Sequence, residues 1–467
     1  MDKKTKELVN QDPWRLQFHV MPETGWLNDP NGAIQFDGTY HLYHQYVPET
    51  PLGGATHWGH FTSDDLVHFN QEEIFMSPTE SFDKDGVYSG SGIEIDGKIH
   101  FFYTGNVKKD GDYDYIYSGR EQNVVHVVSP DGFEIEKREV VIPHEVFPEG
   151  FSDHIRDPKV FKKNDYYYMV LGGRTVEDTG SILMYQSENL SDWTYIGNFL
   201  EGGEDQGYMW ECPDTFELDD KQVLVLSPQG IMPNPYQFNN PHAAGYLIGD
   251  ADWKTVRFKP ETAFEEFDRG FDFYAPQTFL DDQGRRIMWS WMGIGDTMPE
   301  YMNPTISRGW QHAMAMPKEL VLEDGKVFQK PLVEYEQLRQ NERKHNVSEA
   351  NNLSGEVYEL LLEFEESAPF NLLLRQDTEL SFDGEVLTLK HGFSGYGRRK
   401  RQTIVGNVTK LQLFVDTSSM EIFVNDGEYV LTTRVYPEPG SDKIELNAES
   451  EGTVTYWDLK SSKAEER

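Results

Sequence analysis

Five short runs rich in aromatic and β-branched side chains recur along the chain, each entered through a polar turn at or beside Asp or Gly. They are GTYHLYHQY from Gly38, GKIHFFYTG from Gly97, DYYYMVLGG from Asp165, KQVLVLSP from Lys221 and GRRIMWSW from Gly284. Each has the length and composition of a buried sheet strand. Several are followed by a second alternating strand that ends in a turn and an aromatic, as in HWGHFTSDDLVHF, SILMYQSENLSDWTYIG and AGYLIGDADWKTVRF. A strand unit repeating roughly every sixty residues predicts an all-β chain built as a five-bladed β-propeller of four-stranded blades, with generous loops. Past Leu332 the texture changes. VEYEQLRQNERK has short helical character, and then LLLEFEESAPFNLLLRQ, KLQLFVDTSSMEIFVN and TVTYWDLK read as an antiparallel β-sandwich. The expected division is a propeller over 1–330, a linker over 331–345 and a C-terminal β-sandwich over 346–467.

Counting back seven to nine residues from the turns at Gly38, Asp96, Asp165, Asp219 and Asp282 reaches Asp29, Ser89, Asp157, Glu211 and Tyr274. In four of the five a proline follows within two positions, Pro30, Pro158, Pro213 and Pro276. If each run belongs to the entry of a blade, these five positions face the central channel at one end. Taken alone, GWLNDPNG around Asp29 is ordinary turn chemistry. Three aligned carboxylates are not explained by turns, because crowded unpaired carboxylates are costly to desolvate and a packed channel favours small or apolar groups. They point to chemistry.

Charge narrows the substrate. The chain carries 42 basic and 80 acidic residues, a formal net charge of −38, which repels nucleic acid and anionic membrane surfaces. A neutral small molecule is the expected partner, and salt adaptation is the alternative source of the acidity. The single cysteine, Cys212, excludes an intramolecular disulfide framework. MDKKTKELVNQDPW lacks the apolar core of a signal peptide and no run is apolar enough to span a membrane, so the expected location is cytoplasmic. Asp110, Asp112, Asp114 and Glu121 have the spacing of a calcium loop, but Tyr115 stands where the sharp turn needs Gly. With no histidines at metal-ligand spacing, no metal and no cofactor are expected. Arg398, Arg399, Lys400 and Arg401 form a basic cluster expected to guard a sheet edge.

The motifs WLNDPNG (Trp26 to Gly32), HLYHQY with Gln45, HWGH with Trp58, YSGSG (Tyr88 to Gly92), IRDPKVF with Arg156 and Asp157, WECPD with Glu211, and MEIFVNDGEYVLTTRVYP near the C-terminus resemble glycoside hydrolase family 32 across essentially the whole chain. That is the invertase, sucrose-6-phosphate hydrolase, inulinase and levanase group. Tyr88, where the family often has Phe, and His44 are mild departures. The resemblance implies a retaining β-fructofuranosidase acting on sucrose, sucrose 6-phosphate or short fructo-oligosaccharides. It implies Asp29 as nucleophile, Glu211 as general acid and base, and Asp157 as transition-state stabiliser. Gln45, Trp58, Tyr88, Ser89 and Arg156 are then fructose-pocket residues, with Trp26, Leu27 and Asn28 shaping the wall and Tyr274 and Trp291 at the channel mouth. Trp58 reads equally as a core aromatic. Asp29 must be ionised, helped by donors such as Asn28, whereas Glu211 must hold its proton, with Trp210 as a candidate apolar shield. Two rivals are an inverting furanosidase of the arabinanase-like propeller type and a catalytically silent fructoside-binding protein. The sandwich is expected to support stability or a homodimer.

Overall fold

The computed structural model describes residues 3–463. Residues 25–331 form five antiparallel sheets whose innermost strands are Gly25–Phe36, Val87–Ile95, Phe151–Lys163, Met209–Leu218 and Tyr274–Leu280. Each innermost strand packs against the next, and the fifth packs back against the first, so the sheets close a ring of five blades. Trp310 and Gln311, from the long loop of the fifth blade, pair in parallel with Gly25 and Trp26 and stitch the ring shut. The ring leaves only short inner edges, protected because the innermost strands pack against one another around the channel. The five apolar runs are the second strands of the hairpins and are buried along nearly their whole length, because each blade is covered on both faces by its neighbours. Aromatics fill the gap between blades: Tyr43, Trp58, Phe75, Phe101 and Tyr103 pack as one cluster between the first two.

One irregularity recurs in all five innermost strands. The pairing register with the second strand slips at residues 28–29, 88–89, 157–158, 212–213 and 275–276, a β-bulge at the same level of every blade. Pro158, Pro213 and Pro276 sit in these bulges, where a missing N–H costs no ladder bond, and Pro30 directly follows the bulge of the first blade. In the second blade Gly90 takes the place of Pro, since its N–H donates to Asn31 Oδ1 at 3.1 Å and a Cβ there would lie 2.0 Å from the Phe102 carbonyl oxygen. Asp157, Cys212 and Ala275 occupy the bulges with positive φ of 64°, 45° and 49°, sparsely populated for non-glycine residues. Aligned on the prolines, the equivalent positions are Asp29, Ser89, Asp157, Cys212 and Ala275. Counting back from the turns therefore runs one residue past the bulge in the last two blades. Glu211 and Tyr274 belong to the preceding row, with Asn28, Tyr88 and Arg156.

The C-terminal sandwich packs a six-stranded sheet, Arg339–Asn346, Gly452–Leu459, Tyr358–Phe364, Lys410–Asp416, Ser419–Val424 and Tyr429–Arg434 in spatial order, on a five-stranded one running from Lys400–Ile404 to Ile444–Ala448. The segment expected as a linker is a 3₁₀ turn, Val333–Leu338, followed by the edge strand Arg339–Asn346. That strand has no buried residue, so it carries no alternation to read; it is held by backbone pairing and by Arg339 on Glu359 at 2.7 Å. The basic cluster is also placed differently. Arg399 and Lys400 are exposed near the edge, but Arg398 is buried and grips Asp272 of the propeller with two hydrogen bonds of 2.7 and 2.6 Å. Arg401 lies over Phe271. Among the described residues no helix is long and apolar enough to cross a membrane.

The junction also buries charge. Glu421 of the sandwich accepts from Lys318 of the fifth blade at 2.7 Å and contacts His19 at 3.0 Å, while His19 also meets Asp416 at 2.8 Å; all four side chains are fully buried. Burial alone would raise the Glu421 carboxyl, but Lys318 and His19 outweigh it and hold it at about 2. Replacing one member strands the others. Glu421→Ala is expected to lower stability by about 3–5 kcal/mol, read as a lower unfolding midpoint, and adding Lys318→Met should recover part of that loss. Equal stability of Glu421→Ala and the parent would show that the junction does not depend on this network.

Candidate active site

The two rows at the bulges meet in one cavity of about 360 Å³ at the end of the channel, lined by residues of all five blades. In the bulge row Ser89 Oγ donates to Asp29 Oδ2 at 2.6 Å, Asn28 Nδ2 reaches Asp29 Oδ1 at 3.2 Å, and the Cys212 backbone amide donates to Asp157 Oδ2 at 2.9 Å. The Cys212 sulfur lies 3.7 Å from both Asp29 Oδ2 and Asp157 Oδ2, so a compact thiol separates two carboxylates. In the neighbouring row Arg156 donates to Glu211 Oε1 from Nη2 at 2.5 Å and from Nε at 3.1 Å. Tyr274 Oη and Gln229 Nε2 donate to Glu211 Oε2 at 2.6 and 2.7 Å. Glu211 is thus saturated with donors, one of them a cation.

Burial pushes the Asp29 carboxyl up, the negative charge of Glu211 adds to it, and the Ser89 and Asn28 hydrogen bonds only partly offset this. Asp157 is raised as well, by burial first and by Glu211 and Asp29, against the pull of Arg156. Glu211 goes the other way: burial would raise it, but the Arg156 charge and the bonds from Tyr274 and Arg156 win and hold it below the ordinary carboxylate range. These directions run against the expected division of labour: burial pushes Asp29 up, and Arg156 with Tyr274 holds Glu211 down. The reason is tertiary. Arg156 turns onto Glu211, and Trp210 points away into an apolar cluster with Phe199, Leu224 and Leu247 and shields nothing. The Asn28 donor expected for Asp29 is present.

Residues 19–331 match the model of the glycosyl hydrolases family 32 N-terminal domain, and residues 334–463 match that of the family 32 C-terminal domain. The chain belongs to glycosyl hydrolases family 32. It is 39% identical to a sucrose-6-phosphate hydrolase of Bacillus subtilis over 98% of this chain and 96% of that one. It is 35% identical to a raffinose invertase of Escherichia coli, over 93% and 92%. Among solved structures, the sucrose-6-phosphate hydrolase of Lactobacillus gasseri superposes with a TM-score of 0.90 at 31% identity, covering 99% of this chain and 97% of that one. A family 32 β-fructofuranosidase of Bombyx mori, solved as a mutant in complex with sucrose, gives 0.85 at 26% identity, covering 99% of each chain. The chain is a glycoside hydrolase with the family's propeller and sandwich.

Of the family 32 positions expected from sequence, Trp26, Asn28, Asp29, Gln45, Tyr88, Ser89, Arg156, Asp157, Glu211, Tyr274 and Trp291 all line the cavity. Leu27 and Trp58 do not. Leu27 alternates away from Trp26 and Asn28 into the core, and Trp58 is fully buried between blades, donating from Nε1 to the Tyr88 carbonyl at 3.0 Å. Trp58 thus holds the backbone of a wall residue without touching the cavity. His44 is likewise buried, stacked on Phe61. Sequence reasoning missed Cys212, Gln229, His242 and Arg120, which also belong to the site. For Gln229 a signal existed: antiparallel pairing sets it opposite Met209, as it sets Trp291 opposite Tyr274, so the ends of second strands flank the bulges.

Proposed function

We propose that the chain is a retaining β-fructofuranosidase that releases β-D-fructofuranose from the non-reducing end of sucrose, sucrose 6-phosphate or a short fructo-oligosaccharide. The observation that carries this is the pair Asp29 and Glu211, offered to one cavity from different blades with separate sets of donors. In this reading Asp29 attacks the anomeric carbon of the fructosyl unit to form a covalent intermediate, and Glu211 protonates the leaving oxygen and then activates water. Asp157, fixed in its strained bulge by the Cys212 amide, accepts hydrogen bonds from fructose hydroxyls as charge develops on the ring. Gln45, whose Nε2 is anchored on the Val87 carbonyl at 2.8 Å, and Tyr88 shape the hydroxyl-binding wall, while Trp26 and Trp291 cover the apolar face of the sugar.

Asp29 has to be ionised and Glu211 protonated when the glycosidic bond breaks, so the burial of Asp29 and the Arg156 bonds to Glu211 both oppose the working protonation states. The three carboxyl groups titrate as a unit, and the limbs of the pH profile of kcat/KM belong to the cluster. The propeller, taken as residues 1–330, carries this chemistry, and the sandwich, taken as 346–467, supports it through the buried junction. A lone cysteine, Cys212, buried as a free thiol, suits a reducing cytoplasm.

Proton NMR of the first product at low temperature tests the stereochemistry. β-Fructofuranose appearing before mutarotation is the expected result. The α anomer appearing first would shift the assignment to the inverting furanosidase, and tight sucrose binding without turnover to the silent binder.

A further inference from the structure

Apart from Arg120, the basic side chains that line the cavity have acidic partners. Arg156 is held by Glu211, and His242 meets Asp296 at 3.0 Å. Arg120, at the start of the strand Arg120–Ser129, also lines the cavity and is not matched. Its backbone amide donates to Asp153, but its side-chain Nε is buried without a hydrogen-bond partner, and among the described residues its guanidinium makes no ion pair. Burial disfavours its charge, Tyr88, Asp153 and Glu211 act on it only through longer-range attraction, and Arg156 repels it. Two residues along, Gln122 accepts from Arg156 Nη1 at 3.4 Å, so this face of the strand points at the Glu211 side of the cavity. Leaving a guanidinium partly desolvated and unpaired costs stability. In a chain with a net charge of −38, a carboxylate partner would be easy to supply. An unpaired planar fork is the geometry that captures a phosphate.

We propose that Arg120 determines specificity by binding a phosphate monoester on the leaving sugar. This rests on the fructofuranosidase reading above, because it is the assignment of Glu211 to the leaving oxygen that puts Arg120 on the leaving-group side of the scissile bond. The substrate class is a fructoside whose aglycone sugar carries a phosphate. At neutral pH such a group bears a charge between −1 and −2 and several acceptor oxygens. The local cation overcomes the acidic surface at contact distance, since the wider field is screened over about 10 Å.

The test compares kcat/KM for sucrose 6-phosphate and for sucrose in the parent, Arg120→Gln and Arg120→Lys, with thermal unfolding of each variant as a folding check. The parent is expected to prefer the phosphorylated sugar. Arg120→Gln should lower the ratio of the two kcat/KM values by roughly 10- to 100-fold, through KM more than kcat, which is the loss expected for one charge-assisted contact made equally in ground and transition states. Arg120→Lys, which keeps the charge and loses the fork, should restore part of the ratio. Weaker competitive inhibition by glucose 6-phosphate in Arg120→Gln, with inhibition by glucose changed less, would support the same assignment. A parent without preference, or an Arg120→Gln variant in which both substrates decline together, overturns the proposal and leaves the fructofuranosidase reading standing. Failure of the parent to release fructose from either sugar overturns both.

Discussion

Asp29→Asn is expected to reduce kcat on sucrose by roughly 10⁴- to 10⁶-fold, the range seen when a covalent nucleophile is removed. The amide keeps the size of the carboxylate and can still accept from Ser89, so the cavity is preserved while the attacking oxygen loses its charge. The carboxylate is raised by burial and by Glu211, so ionising it in place is uphill. The uncharged variant is therefore expected to unfold at the same temperature as the parent or a higher one, the usual sign of strain stored at a functional site. Steady-state kinetics and a melting curve on the same preparation separate the two effects. Activity within tenfold of the parent would remove Asp29 from the nucleophile's role, and a large drop in melting temperature would mean that the loss is one of folding.

Glu211→Gln is the second large effect, and its signature is selective. With sucrose, kcat should drop by about 10²- to 10⁴-fold, because the leaving oxygen departs without a proton. With β-fructosyl fluoride, whose leaving group needs none, formation of the fructosyl-enzyme should survive. Its hydrolysis stalls for lack of a base, giving a burst and rescue by azide. The pH dependence has a defined sign. Glu211 raises both Asp29 and Asp157 by its charge. Removing it, and freeing Arg156 from it, lowers both, so the acidic limb for fluoride turnover moves to lower pH. An equal decline on sucrose and fluoride would place Glu211 in binding and not in proton transfer. An acidic limb that moves upward would contradict the electrostatic account of the cluster.

Both outcomes depend on contacts that join distant parts of the chain, and this bears on what could be read in advance. Five strand runs were visible because each second strand is buried on both faces, a pattern that needs no partner to be recognised. The carboxylate and proline signals were visible because bulges tolerate Pro and place residues off the ladder. Their alignment was one residue out in the last two blades, since turn lengths vary while the bulge does not. The strand Arg339–Asn346 was missed because an exposed edge has no alternation, and the burial of Arg398 because an inter-domain partner leaves no local trace.

Sequence by itself determined the ring of blades, the family, and the three carboxylates with most of the wall around them, because these rest on local periodicity and on short motifs. Tertiary structure alone decided who touches whom: Arg156 on Glu211, the Cys212 thiol between Asp29 and Asp157, Trp58 and Leu27 turned into the core, and the Arg120 Nε without a hydrogen-bond partner among the described residues. The directions in which Asp29, Asp157 and Glu211 are pushed followed from those contacts. A pKa is set by burial and by charges a few ångströms away, and in a closed propeller those neighbours come from blades separated by tens to hundreds of residues.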